Sequence, residues 1–120
     1  MHPLKEMIKK RLQDKNCGIA SYCSANELVL EMAIRRAKET DTPVLIEATA
    51  NQVNQFGGYT GMLPKDFYDL VINMAGKVGL KEENVILAGD HLGPLTWQHL
   101  NEKEAMENAV ELVYQYAKAG

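Results

Sequence analysis

Two short runs in this chain are apolar without alternation, Val44-Leu45-Ile46 and Val85-Ile86-Leu87-Ala88, and each has a helix-like segment on both sides. A strand with one face in water alternates apolar and polar residues, whereas an unbroken apolar strand is covered on both faces. Covered strands that alternate with helices belong to a parallel sheet, because only a crossover of about a dozen residues returns the chain to start a parallel neighbour.

The remaining segments fit that frame. Pro3 opens a helix, with Leu4, Met7, Ile8 and Leu12 on one stripe, and Asp14 to Asn16 form a polar turn. Cys17 to Cys23 reads as the first strand, and Ser24 with Glu27 as a capping box for the helix that follows. Pro64 starts a helix whose stripe is Phe67, Leu70, Val71, Met74, Ala75 and Val78, closed by Gly79. Asn101 with Glu104 caps the last helix, with Ala105, Ala109, Leu112, Val113 and Tyr116 facing inward. The spacing predicts strands near 17–23, 43–48 and 84–90 and helices near 25–39, 64–78 and 102–118. Three strands leave two open edges and a half-covered core, so the sheet reads as unfinished and the chain is expected to associate into an oligomer.

Charge narrows the partners. A net charge of −3 lacks the excess of base that a sequence-independent nucleic-acid binder carries. The one basic run, Lys9-Lys10-Arg11, lies on the amphipathic first helix and reads as a solvated face. No apolar stretch reaches the roughly 20 residues that cross a bilayer, and no secretory signal is read at the N-terminus. Cys17 and Cys23, on one strand, would stand about 20 Å apart, too far to bridge each other. Reduced thiols and a cytoplasmic location are the expectation.

In such folds chemistry collects at the carboxyl ends of strands, here Ser21 to Ser24, Glu47 to Thr49 and Gly89 to His91. Asp90 can move a proton and His91 can ligate a metal. The competing reading makes Asp90 a loop cap and His91 a satisfied polar residue. Glu47, Asn51, Gln52, Asn54 and Gln55 could hold a polyhydroxylated ligand, or could equally form a surface loop that caps itself. Gly57-Gly58 permits a tight turn but is no nucleotide fingerprint, since neither GxGxxG nor a P-loop is present. His2 and His99 read as surface residues, Trp97 as a rim-packing residue ahead of a sugar-stacking one, and Cys23 as structural packing ahead of a strand-end thiol of lowered pKa.

Longer motifs add a resemblance. Leu45-Ile-Glu-Ala-Thr49, Asn51-Gln-Val-Asn-Gln-Phe-Gly-Gly-Tyr-Thr-Gly61 and Gly89-Asp-His-Leu-Gly-Pro94 resemble the GatZ/KbaZ family, with Gly18-Ile19 and Cys23-Ser24-Ala25 fitting its first strand. These are Z-type subunits of class II tagatose-1,6-bisphosphate aldolase, some of which carry a tagatose-6-phosphate kinase label. The resemblance implies an α/β fold of the TIM-type (β/α)8 barrel family, with residues 1–120 as its N-terminal helix and first three βα units. It implies Asp90 as the proton-handling residue and His91 as a zinc ligand, while Glu47, Asn51, Gln52 and Gln55 stay the substrate-contact candidates on the side-chain chemistry given above. It also implies a non-catalytic component that supports a catalytic aldolase subunit acting on a sugar phosphate. The family often has His-Pro after Cys-Ser-Ala, where this chain has Asn26-Glu27. A stand-alone metal-dependent sugar epimerase or aldolase is the alternative. A kinase fits less well, since phosphoryl transfer needs a phosphate cradle and Mg²⁺ ligands.

Overall fold

The computed structural model describes residues 2–14 and 16–120. In order the chain forms α1 (Pro3–Gln13), β1 (Ser21–Cys23), α2 (Glu27–Thr40), β2 (Val44–Thr49), α3 (Pro64–Val78), β3 (Val85–Asp90) and α4 (Glu102–Ala119). The strands make one sheet in the order β1-β2-β3, and both pairings are parallel. The polar turn expected at 14–16 includes Lys15, which lies outside the described residues.

Local chemistry sets most boundaries. Pro64 occupies the first turn of α3, where its missing N–H costs nothing, and the Leu63 amide donates to Asp66 Oδ2 at 2.9 Å. Gly79 ends the same helix in the left-handed conformation, φ 79°. Asn101 caps α4 by accepting from the Glu104 amide at 3.0 Å.

Two expectations near β1 need correcting. The first strand runs only over Ser21–Cys23, not 17–23. Ser21 pairs with Leu45, so Ala20 would stand opposite Val44 and Ile19 opposite Pro43, which has no N–H for a ladder. The cap of α2 is Asn26 rather than Ser24: its Oδ1 accepts from the Leu28 and Val29 amides at 3.0 and 3.3 Å. Ser24 Oγ instead accepts from the Asn26 amide, which shapes the turn before the helix. Asn and Ser cap about equally well, so position decides: α2 begins at Glu27, directly after Asn26.

The register separates the sheet into two faces. On one, β2 buries Val44, Ile46 and Ala48 against Leu30, Ile34 and Ala37 of α2 and Phe67, Val71 and Ala75 of α3. Alternation and the Cα register put Ser21, Cys23, Leu45, Glu47, Thr49, Ile86, Ala88 and Asp90 on the other. A smaller cluster joins Ala105, Ala109 and Leu112 of α4 to Trp97 and Ala50. The Tyr116 hydroxyl donates to the Ala48 and Val53 carbonyls at 3.3 and 3.2 Å, tying α4 to the end of β2. Burial first of all raises the pKa of that phenol. No described helix is long and apolar enough to cross a membrane.

Candidate functional site

Cys23 is paired with Glu47, and Asp90 with Thr49, so positions of three neighbouring strands on the face away from α2 and α3 share one end of the sheet. There the side chains converge. Cys23 Sγ donates to Asp90 Oδ2 at 3.4 Å, reaching over β2, and Ser21 Oγ donates to Glu47 Oε1. One ligand atom from each of Cys23, Glu47 and Asp90 lies within 4.8 Å of the other two. Glu47 and Asp90 are half-buried, Cys23 is exposed, and neither carboxylate enters an ion pair among the described residues.

This environment raises the Cys23 pKa above its ordinary value. Desolvation of the sulfur contributes most, even though the residue as a whole is exposed, followed by the hydrogen bond to Asp90 and the charges of Asp90 and Glu47. The thiol form is favoured, so the cysteine is a poor nucleophile near neutral pH. Replacing Asp90 by asparagine removes a charge and weakens the acceptor. In a Cys17→Ser background, Asp90→Asn should therefore shift the pH profile of Cys23 alkylation by iodoacetamide downward. A rate gain of about three- to tenfold at pH 8 is expected, corresponding to a shift of about half to one pH unit. An unchanged profile would mean that Asp90 does not face the sulfur.

His91 does not join this group. His91 is exposed, outside the Cys23–Glu47–Asp90 group, and lines a separate concavity of about 530 Å³ with Pro94, Leu95, Leu100 and Met106. It follows the last β3 residue and holds φ at 114°, an uncommon value for a residue with a Cβ. Strand parity is lost at that point, so the ladder that puts Asp90 opposite Thr49, on the face of Glu47 and Cys23, does not extend to His91.

The loop after β2 is largely occupied with itself. Gln52 Oε1 accepts from the Thr49 amide at 2.7 Å, and Thr60 Oγ1 donates to the Gln52 carbonyl at 2.6 Å. Asn54 is buried and makes three bonds: Nδ2 to the Ala50 carbonyl at 2.7 Å, and Oδ1 from the Phe56 and Gly58 amides at 2.8 and 3.1 Å. Gly58 holds φ at 56°, and a Cβ there would collide with the Gln52 carbonyl. Gln55 Nε2 donates to the Asn108 carbonyl of α4 at 2.9 Å, while its buried Oε1 has no partner among the described residues. Asn51 is exposed, and its carbonyl accepts from the Tyr59 amide at 2.9 Å. Of the four residues expected near a substrate, Glu47 stands at the strand-end cluster, Gln52 and Gln55 brace the loop, and Asn51 faces solvent. Ser21 lies in the first strand end named from the sequence, but no role is read for it there; it shares the parity of Cys23, two residues further on.

A parallel α/β sheet whose strand ends carry carboxylates and a thiol defines a class in which the carboxyl-end face is the functional one. Within that class the chain belongs to the GatZ/KbaZ-like family of D-tagatose-1,6-bisphosphate aldolase subunits, whose pattern matches residues 4–120. It is 51% identical over 117 residues to the D-tagatose-1,6-bisphosphate aldolase subunit GatZ of Escherichia coli K12, covering 98% of this chain and 28% of that protein. The GatZ of Shigella boydii serotype 18 matches to the same extent. A crystal structure of a probable tagatose 6 phosphate kinase from Sinorhizobium meliloti 1021 superposes with a TM-score of 0.82 at 53% identity, over 86% of this chain and 27% of that one. The chain thus spans about a quarter of the length of the relatives it matches.

Proposed function

We propose that this chain is the N-terminal part of a Z-type component of a tagatose-1,6-bisphosphate aldolase system, supporting a catalytic subunit in reversible aldol cleavage to glycerone phosphate and glyceraldehyde 3-phosphate. The observation that carries the reading is the family match across residues 4–120. A TIM-type barrel begun by these three βα units is part of the same proposal. Each outer strand pairs on one side among the described residues, and the helices beside them carry exposed apolar side chains. Leu28 and Met32 of α2 and Met106, Val110 and Val113 of α4 are the main ones. Further strands and helices, in the same polypeptide or another, would cover them.

A second reading, a metal-dependent sugar epimerase or aldolase active in its own right, draws on the strand-end convergence of Asp90 and Glu47. A divalent ion bound there would supply polarisation of a sugar oxygen. Asp90 would exchange a proton with the substrate, and Glu47 would orient a hydroxyl.

One variant separates the two. In a full-length family member carrying these 120 residues, Asp90→Ala should leave the catalytic partner's turnover close to wild type if the chain is a supporting component. Loss of turnover with the fold intact would instead make the chain catalytic. Val71→Asp, which attacks the core, should lower the partner's activity under the supporting reading.

A further inference from the structure

We infer that Cys23, Glu47 and Asp90 form a zinc-type metal site on this chain and that His91 is not one of its ligands. The three donors come from three consecutive strand ends, each placed by backbone register rather than by a mobile loop.

The spacing suits one shared ion. A zinc–sulfur bond of about 2.3 Å and a zinc–oxygen bond of about 2.1 Å at a tetrahedral angle put the two ligand atoms about 3.6 Å apart. Cys23 Sγ and Asp90 Oδ2 are separated by 3.4 Å. The third donor, Glu47, offers a carboxylate oxygen within 4.8 Å of a ligand atom on each of the other two. Ser21 donates to Glu47 Oε1, which leaves Oε2 for an ion and fixes the carboxylate's orientation, as outer partners of metal ligands do. Two carboxylates and a thiol with no cation paired to them among the described residues make an anionic pocket once the thiol ionises.

The donor chemistry selects the metal. Mg²⁺ and Ca²⁺ take oxygen ligands and gain little from a thiolate, whereas Zn²⁺ and Co²⁺ accept mixed sulfur and oxygen sets. Three protein ligands leave a fourth position open to water or to an oxygen of a bound molecule. His91 stands outside the group because its backbone has left the strand.

The test reads metal binding on this chain alone, so it fails or succeeds apart from the aldolase-system proposal, which is read on a partner's turnover. Titration with Co²⁺ should give one site per chain and a sulfur-to-cobalt charge-transfer band in the near ultraviolet. Cys23→Ala should abolish the band, while Cys17→Ala and His91→Ala should keep it. In calorimetric titration with Zn²⁺, Glu47→Gln and Asp90→Asn should each weaken binding by about tenfold or more, and His91→Ala by less than about twofold. Circular dichroism of each variant, with Glu47→Gln as the most conservative change, separates lost ligation from lost folding. Two results would overturn the inference. One is a folded wild-type chain that binds neither ion stoichiometrically. The other is a site that survives Cys23→Ala but not His91→Ala.

Discussion

Val71→Asp should leave the chain without a cooperative urea transition. Val71 is 0% exposed on α3 and packs within the cluster that holds Ile46 of β2 and Ile34 of α2. No described cation forms an ion pair in that cluster, so an aspartate there would either stay charged in an apolar surround or protonate at the expense of folding. The cost is about 4 kcal/mol or more, against a total of about 5–15 kcal/mol for a typical domain. Val71→Ala is the comparison. It removes two methyl groups and should cost about 2–3 kcal/mol while keeping a cooperative transition at lower urea. Far-ultraviolet circular dichroism across a urea series reads both. A Val71→Asp midpoint equal to that of wild type would show that α3 does not cover the sheet.

The second large effect is expected at Asn54. Replacing it with leucine, close to it in volume, removes all three hydrogen bonds that the carboxamide makes to Ala50, Phe56 and Gly58. The bond to Ala50 is buried, so its abandoned carbonyl costs about 1–3 kcal/mol, and the part-buried Phe56 and Gly58 amides add a smaller penalty each. A loss of about 3 kcal/mol is expected in thermal or urea unfolding. Hydrogen exchange gives the more specific readout: the Phe56 and Gly58 amides should lose protection while the amides of β2 keep theirs. Uniform loss along the chain would instead make Asn54 part of the global core. Asn54→Asp keeps the acceptor but loses the donor to Ala50 and buries a charge, so it should also destabilise.

These two positions show different degrees of legibility. Val71 lies on an i, i+4 stripe with Phe67 and Ala75, and that period by itself marks it as core. Asn54 carries no such mark. In the sequence it is one of several amides in a polar loop, equally suited to a ligand or to the backbone. Its role depends on where the chain turns, and only the close approach of Ala50, Phe56 and Gly58 decides it. Gln55 is similar, because its partner Asn108 is 53 residues away.

What the sequence by itself determined is the local and periodic part. The unbroken apolar runs specified parallel strands, although helices bury only alternate residues of β2, Pro64 and Gly79 bounded α3, Asn101 capped α4, and the motifs from Leu45 to Pro94 specified the family. These follow from backbone restrictions and from side-chain periods that act over a few residues. Only the tertiary structure decided which strand-end groups meet. Adjacent positions in sequence, Asp90 and His91, part company where β3 ends, while Cys23 and Asp90, 67 residues apart, come within 3.4 Å. The pairing register couples residues across strands at a distance along the chain that no local preference encodes. A single step of register or a single residue past the strand end turns a side chain to the other face.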